Sequence, residues 1–290
     1  MDIEQIFSKC DHTLLRQDST ASQIRDLCDQ AIANNCASVC IPPCHVAGAK
    51  RYVGDNISIC TVIGFPNGYA TTAVKAYEAA DAIKNGADEI DMVVNISMVK
   101  DNCWNDVRQD IREVRAACKD KVLKVIIECC LLTEDEKIKL CGIVAECNAD
   151  FIKTSTGFST GGATIEDVKL LRKYSPPQVK VKAAGGIHTI REAEALIEAG
   201  ADRIGSSHLL DDMLNTKNTL RCCDLNQDLK ETDVAQHLAA DSSIRAGLQD
   251  NDEFEEKNGK DVNIAQNIDD GSVDKADNQD AETHSDLESQ

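Results

Sequence analysis

Two lysine residues lie inside short apolar runs that each end in a turn, and both have the setting of a chemically active amine. Lys153 lies in the run Phe151–Gly157, and Lys182 lies in the run Val179–Gly186. Each run is typical of a buried strand, where desolvation disfavours the charged form of a lysine. An uncharged lysine can attack a carbonyl carbon and form a Schiff base, so the two runs indicate carbonyl chemistry.

The two lysines are expected to lie side by side. Neighbouring parallel strands are about 4.8 Å apart, and two ammonium groups at that spacing repel each other, which favours a free amine on one of them. The alternative is that both are surface lysines at ragged strand ends. Lys180 has the same strand parity as Lys182, and periodicity does not separate the two.

A third candidate is Asp91, which lies among Ile, Met and Val in the run Glu89–Asn95. A buried carboxylate is usually paired or functional, and this one could relay protons near the lysines. The alternative is a structural ion pair, for which Lys124 is the obvious partner. Asp11 and Glu128 are weaker signals of the same kind.

Glycine and serine residues follow the last strands of the chain and predict a phosphate site. Glycine lets the backbone approach an anion, and serine hydroxyls add hydrogen-bond donors. The candidate phosphate-binding residues are Gly157, Gly185, Gly186, Gly205, Ser206 and Ser207.

Eight apolar runs alternate with helical patterns and must position these residues. The predicted strands are Asp11–Leu14, Ser38–Ile41, Ser58–Phe65, Glu89–Asn95, Leu123–Cys129, Phe151–Thr156, Val179–Ala184 and Arg203–Ser206. The clearest predicted helices are Ala21–Asn34, Thr71–Gly86, Thr133–Cys147 and Thr189–Ala199. Eight strand–helix units in about 220 residues favour an α/β (β/α)8 TIM barrel over an open doubly wound sheet, whose first turn is often glycine-rich. In such a barrel the active site lies at the carboxyl ends of the strands.

Composition narrows the functional class. No run approaches the length of a membrane span, and the first residues do not resemble a signal peptide, so a cytoplasmic protein is expected. The 14 cysteines fall mostly in apolar segments and are interpreted as free thiols. Cys36, Cys40, Cys44 and His45 superficially suggest a metal site, but an extended strand holds such residues too far apart to share one ion.

A break in composition near residue 221 predicts a barrel domain over residues 1–220 and an acidic, disordered tail over residues 221–290. The tail has 19 acidic against 6 basic residues, a net charge of −13 out of −19 for the whole chain. The segment Ala235–Leu248 is a candidate weak helix, and an acidic partner-binding segment is the alternative to a solvated tail. Neither part has the basic surface that nucleic acids require.

Six runs in order resemble the deoxyribose-phosphate aldolase family over about residues 7–214. They are Asp11–Leu15, Thr61–Pro66, Gly86–Val93, Lys124–Glu128, Phe151–Gly157 and Val181–Gly186. The resemblance implies a class I aldolase that reversibly cleaves 2-deoxy-D-ribose 5-phosphate to D-glyceraldehyde 3-phosphate and acetaldehyde in deoxynucleoside catabolism. It implies a Schiff base on Lys153, Lys182 adjusting the protonation of that amine, and Asp91 in proton transfer.

The same resemblance implies no metal and no organic cofactor, because the iminium ion is itself the electron sink. Members of the family are commonly dimers, so a homodimer is expected. The acidic tail departs from the family pattern, and Cys129 stands where threonine is expected. Two other functions stay open: a phosphate-binding barrel aldolase with a different donor, and a non-catalytic scaffold whose tail binds a partner.

Overall fold

The computed structural model describes residues 1–213, which form a closed barrel of eight parallel strands. The strands are β1 (Cys10–Thr13), β2 (Ser38–Ile41), β3 (Ser58–Ile63), β4 (Glu89–Val93), β5 (Val122–Ile126), β6 (Phe151–Lys153), β7 (Lys180–Ala184) and β8 (Arg203–Ser206). Each strand pairs with the next, and β8 pairs with β1. The predicted (β/α)8 TIM barrel is therefore confirmed. The predicted tail and the segment Ala235–Leu248 lie outside the described residues.

Helices lie between the strands. They are α1 (Ile3–Phe7), α2 (Ala21–Ala33), α3 (Val46–Val53), α4 (Thr72–Lys84), α5 (Ile96–Lys100), α6 (Trp104–Cys118), α7 (Glu134–Glu146), α8 (Ile165–Tyr174) and α9 (Ile190–Glu198). The capping box predicted at Thr133 is present: its hydroxyl accepts from the Glu136 N–H, and the Glu136 carboxylate accepts from the Thr133 N–H. Thr189 caps α9 in the same way. These caps begin each helix directly after the loop that leaves a strand.

Several strands end earlier than predicted, because the backbone turns before the apolar run does. β3 ends at Ile63, where Gly64 has a φ of 56°. β5 ends at Ile126, and Glu128 has a left-handed φ of 56°. Cys129, predicted as the last residue of a strand, therefore lies with Cys130 in a short 3-10 turn, Cys129–Leu131.

The strands bury two kinds of surface. Alternate positions such as Ile59, Ile90 and Ile152 are apolar and belong to the main hydrophobic core. Intervening positions such as Asp91, Lys124 and Lys182 carry charge and are fully buried. A barrel interior with charged side chains is costly unless they pair, so these positions mark the site.

Candidate active site

Seven charged side chains from six strands meet inside the barrel. They are Asp11 on β1, Glu89 and Asp91 on β4, Lys124 on β5, Lys153 on β6, Lys182 on β7 and Arg203 on β8. All except Arg203 are buried. We call these seven residues the charged cluster.

Asp91 bonds to three lysines of the charged cluster. Its Oδ2 accepts hydrogen bonds from Lys153 Nζ at 2.8 Å and from Lys182 Nζ at 2.7 Å. Its Oδ1 accepts from Lys124 Nζ at 2.7 Å. The register pairs Lys153 with Lys182 and Asp91 with Lys124 across neighbouring strands. Both partners suggested for Asp91, the reactive lysines and Lys124, therefore bind the same carboxylate.

Lys182 lies between two carboxylates. Its Nζ donates to Asp11 at 2.5 Å and to Asp91 at 2.7 Å. Burial alone would lower the pKa of Lys182, but the Asp11 and Asp91 carboxylates raise it well above its usual value. The pKa of Asp91 is likewise held far below its usual range, because its three lysine partners outweigh the effect of burial. Lys182 is therefore a stable ammonium ion beside a stable carboxylate.

The charged cluster carries one more cation than anion when every member is ionised. Lys124 contacts three carboxylates, whereas Lys182 and Arg203 contact two each. Lys153 contacts one, Asp91. Lys153 therefore has the fewest anionic partners of the four basic residues.

Lys153 also borders a cavity of about 460 Å³ at the carboxyl ends of the strands. Among the seven residues of the charged cluster it is the one that lines this cavity. All six predicted phosphate residues line it too: Gly157, Gly185, Gly186, Gly205, Ser206 and Ser207. Asp91 and Lys182 do not line it, but Asp91 hydrogen-bonds to both Lys153 and Lys182. The structure therefore brings the predicted lysines, carboxylate and turns together around one space.

Two glycines of this cavity have backbone conformations or close contacts that other residues would not tolerate. Gly185 has a φ of 86°, and an added Cβ would lie 3.2 Å from Gly157 Cα. Gly157 itself has a φ of 85°. The loops after β6 and β7 therefore approach closely, with backbone groups exposed to the cavity.

The Ser206 side chain is already engaged, because its Oγ donates to the Ile187 carbonyl at 2.6 Å. Ser206 pairs with His12 in the β1–β8 register, so its backbone N–H is directed at β1, and Ser206 contributes to the site by holding the turn after β8.

Within residues 1–213, thiol and carboxylate ligand atoms converge at two places in the site, one formed by Cys40, Cys60 and Asp91 and one by Asp11, Cys60 and Glu89. A metal ion is disfavoured at both, because Lys124 Nζ contacts all three carboxylates. Cys40, Cys60 and Asp91 offer ligand atoms within 4.8 Å of one another. Lys124 Nζ already lies 3.1 Å from Cys60 Sγ and 2.7 Å from Asp91 Oδ1. An ammonium group thus takes up the position and the charge that a cation would need.

Sequence reasoning missed part of the site. Glu89 and Arg203 were not identified, although Glu89 shares the strand face of Asp91. Glu128, a weaker candidate for a functional carboxylate, instead holds the loop after β6. Its carboxylate accepts hydrogen bonds from Thr156 Oγ1 at 2.5 Å and from the Thr156 N–H at 3.2 Å. Strand parity did not distinguish Lys180 from Lys182, but the structure does: Lys180 is exposed and lies over the Phe151 ring, whereas Lys182 is buried.

The fold and site define a (β/α)8-barrel enzyme with a lysine at its active-site cavity. A profile of the DeoC/LacD family of aldolases matches residues 6–215. The chain belongs to that family. Within residues 1–213, none of the helices has the length and apolar character needed to cross a membrane.

Known relatives carry a more specific name. The chain is 52% identical over 217 residues to the deoxyribose-phosphate aldolase of Clostridioides difficile, with 75% of this chain and 99% of the relative covered. A relative of that name from Streptococcus agalactiae serotype Ia is also 52% identical, with 75% and 97% covered.

Solved structures of that name have the same fold. A putative deoxyribose-phosphate aldolase of Coccidioides immitis is 40% identical, with a TM-score of 0.71 and coverage of 73% of this chain and 87% of that structure. The tetrameric deoxyribose phosphate aldolase of Aeropyrum pernix is 30% identical, with a TM-score of 0.70 and coverage of 76% and 93%.

Proposed function

We propose that this protein reversibly cleaves 2-deoxy-D-ribose 5-phosphate to D-glyceraldehyde 3-phosphate and acetaldehyde, through a Schiff base on Lys153. The observation that carries the proposal is the position of Lys153, which lines the cavity while it contacts Asp91 of the charged cluster. The name shared by relatives that are 52% identical supports the choice of substrate.

The first step is attack on the sugar. The uncharged amine of Lys153 adds to C1 of the open-chain aldehyde, and loss of water leaves a protonated imine. Lys182 keeps its proton between Asp11 and Asp91 and so disfavours a second positive charge nearby.

The second step breaks the C2–C3 bond. The iminium ion accepts the electron pair of that bond as the C3 hydroxyl loses its proton, which releases glyceraldehyde 3-phosphate and leaves an enamine. The proton must pass from the C3 oxygen to C2 of the enamine before water hydrolyses the imine to acetaldehyde. Because the pKa of Asp91 is held low, we assign Asp91 the orientation of a water that relays this proton, not its storage.

The substrate phosphate is assigned to the turns after β6, β7 and β8. The backbone groups of Gly157, Gly185, Gly186 and Gly205 allow close approach of the phosphate. Ser206 holds the turn after β8 through its hydroxyl, and Ser207 offers an exposed hydroxyl. Binding energy from this remote group positions C1 against Lys153.

Borohydride trapping tests the proposal. The protein is incubated with 2-deoxyribose 5-phosphate, reduced, digested and analysed by peptide mass. An adduct on Lys153 is expected, together with acetaldehyde as a product of the unreduced reaction. An adduct on another lysine would refute the nucleophile. Trapping of a larger ketone donor, without release of acetaldehyde, would indicate an aldolase with a different donor.

Replacing Lys182 with leucine should change the pH dependence of activity. Without the Lys182 ammonium, Asp91 stabilises the protonated form of Lys153 more strongly, so activity at pH 7 should fall by at least about tenfold. The deficit should shrink as the pH rises and the amine is freed. Schiff-base formation measured by stopped flow from pH 6 to pH 10 checks this. An equal loss at every pH would contradict the assigned role of Lys182.

We also propose a cellular location and an assembly state for the protein. Twelve described cysteines are free thiols, which supports a reducing cytoplasm. Assembly into a homodimer stays a prediction, for which light scattering is the measurement. No chemistry is assigned to residues 221–290.

A further inference from the structure

Two cysteines lie directly opposite each other inside the barrel, beside the charged cluster. Cys40 on β2 and Cys60 on β3 are paired in the strand register, and both side chains are buried. With Val62, Leu15 and Phe65 they form a small apolar cluster that is separate from the main hydrophobic core. Neighbouring parallel strands are about 4.8 Å apart, and a disulfide joins residues whose Cα atoms are about 4.4–6.8 Å apart. The register therefore places the two thiols within reach of a disulfide bond.

The two thiols also contact the charged cluster. Cys40 Sγ, Cys60 Sγ and a carboxylate oxygen of Asp91 lie within 4.8 Å of one another. Cys60 Sγ donates a hydrogen bond to Asp91 Oδ1 at 3.2 Å and accepts one from Lys124 Nζ at 3.1 Å. Asp91 is the carboxylate that binds Lys153. A displacement of the Cys60 sulfur therefore changes the contacts of the carboxylate that holds the Schiff-base lysine.

The two thiols differ in acidity. The pKa of the Cys40 thiol is lowered, chiefly because Cys60 hydrogen-bonds to its sulfur. Burial opposes this effect, whereas Lys182 and Lys153 add to it. The pKa of the Cys60 thiol is raised by burial and by its hydrogen bond to Cys40. Because a thiolate is the nucleophile in thiol oxidation, Cys40 has the character of the attacking sulfur and Cys60 that of its partner.

The side chains that contact the two cysteines also form the walls of cavities. Leu15 and Phe65 are partly buried and pack against the cysteine cluster. Leu15 lines the active-site cavity, and Leu15, Val62 and Phe65 line a neighbouring cavity of about 260 Å³. A molecule as small as hydrogen peroxide passes such a wall when its side chains change rotamer.

We propose that Cys40 and Cys60 are a thiol oxidation site, at which a hydroperoxide joins the two sulfurs in a disulfide and lowers the activity of the neighbouring active site. With hydrogen peroxide, the Cys40 thiolate attacks one oxygen, breaks the O–O bond, releases hydroxide and becomes a sulfenic acid. The Cys60 sulfur then attacks the Cys40 sulfur, and the Cys60 proton leaves with the hydroxyl group as water. Two electrons pass from the two sulfurs to the peroxide, and a thiol reductant reverses the change.

The disulfide acts on Asp91 through Cys60. Its two sulfurs are about 2.05 Å apart, so the Cys60 sulfur moves toward Cys40 and loses the proton that it donates to Asp91 Oδ1. A misplacement of about 1 Å in an active site can cost about 10²-fold in rate, so turnover of 2-deoxyribose 5-phosphate should fall by about 10- to 100-fold. The oxidation itself goes beyond the proposed function, and only this effect on turnover rests on it.

Controlled oxidation of the full-length chain tests the site. The protein is treated with hydrogen peroxide, its remaining thiols are alkylated under denaturing conditions, and cross-linked peptides are identified by mass. A Cys40–Cys60 cross-link is expected, with turnover that falls as the cross-link accumulates and returns after treatment with dithiothreitol. If the exposed thiol of Cys103 is oxidised while Cys40 and Cys60 are both still alkylated, the oxidation site is wrong.

Two variants separate this pair from other cysteines, each compared with its own untreated turnover. Cys40→Ala has no attacking thiolate, so peroxide should leave its turnover within about twofold of the untreated value. The matched control is Cys36→Ala. Cys36 and Cys10 are a second hydrogen-bonded pair of buried thiols, but they belong to the main hydrophobic core. This control should lose turnover as the wild-type protein does, and an equal, reversible loss in Cys40→Ala would overturn the proposal.

The cross-link and the turnover separate this test from the proposed function. If the untreated protein does not cleave 2-deoxyribose 5-phosphate, the proposed function is wrong, and the cross-link alone decides whether the oxidation site exists. If the protein cleaves the sugar phosphate and the cross-link forms without loss of turnover, the reaction stands and the control of activity by Cys40 and Cys60 is refuted.

Discussion

Replacing Lys153 with methionine should abolish cleavage of 2-deoxyribose 5-phosphate, with turnover reduced by at least about 10⁴-fold. Methionine keeps most of the side-chain volume but has no amine, so neither the imine nor the borohydride adduct can form. The charged cluster should tolerate the change, because without Lys153 three carboxylates still face three cations, Lys124, Lys182 and Arg203. Turnover and thermal unfolding of the same preparation provide the measurement.

The matched control is Lys180→Met. Lys180 lies on the next strand, two residues before Lys182, but it is exposed and lies over the Phe151 ring. Its loss should leave turnover within about twofold of wild type, because an exposed cation outside the site contributes little. If Lys153→Met retained substantial activity while Lys180→Met did not, the lysine chosen for the Schiff base would be wrong.

Strand periodicity and residue type are enough to predict those parts of the site that involve adjacent strands and the turns that follow them. Lys153 and Lys182 lie on adjacent strands, as the eight-unit count predicts, and the register pairs them directly. The glycine turns follow from the same count, because strands end where glycine allows the chain to turn. The strand ends are less predictable, since a single left-handed residue such as Glu128 ends a strand inside an apolar run.

Electrostatics were harder to predict, because the decisive partners are remote in sequence. Repulsion between two lysines suggested that one of them would have a lowered pKa. For Lys182 the direction is opposite, since Asp11, 171 residues away, and Asp91 both contact its ammonium group. Arg203 and Asp11 are 192 residues apart and also meet only when the barrel closes. A pattern within one strand carries no information about such contacts.

Asp91 is the residue whose replacement should damage both activity and stability. Asp91→Asn keeps the shape of the side chain but leaves two carboxylates, Asp11 and Glu89, to three cations, Lys124, Lys182 and Arg203. Breaking a buried ion pair in this way costs about 3–5 kcal/mol of unfolding free energy. Loss of the proton relay should lower turnover by roughly 10²- to 10⁴-fold.

The pH dependence of stability should change as well. The pKa of Asp91 is lowered by folding, so its contribution to stability is present above the ordinary aspartate value of about 3.9 and is lost as the pH falls below it. The unfolding free energy of the wild-type protein should therefore fall as the pH drops from 5 to 3. That of Asp91→Asn should fall less. Urea denaturation at several pH values measures both.

A second substitution distinguishes charge balance from chemistry. Lys124 contacts Asp91 Oδ1 and does not line the cavity, so Lys124→Met in the Asp91→Asn background removes a buried cation without touching Lys153. The double variant should regain part of the lost unfolding free energy, because fewer unpaired charges stay buried. Its turnover should stay as low as that of Asp91→Asn. If turnover recovered along with stability, Asp91 would act only by holding the cluster together, and its assignment to proton relay would be refuted.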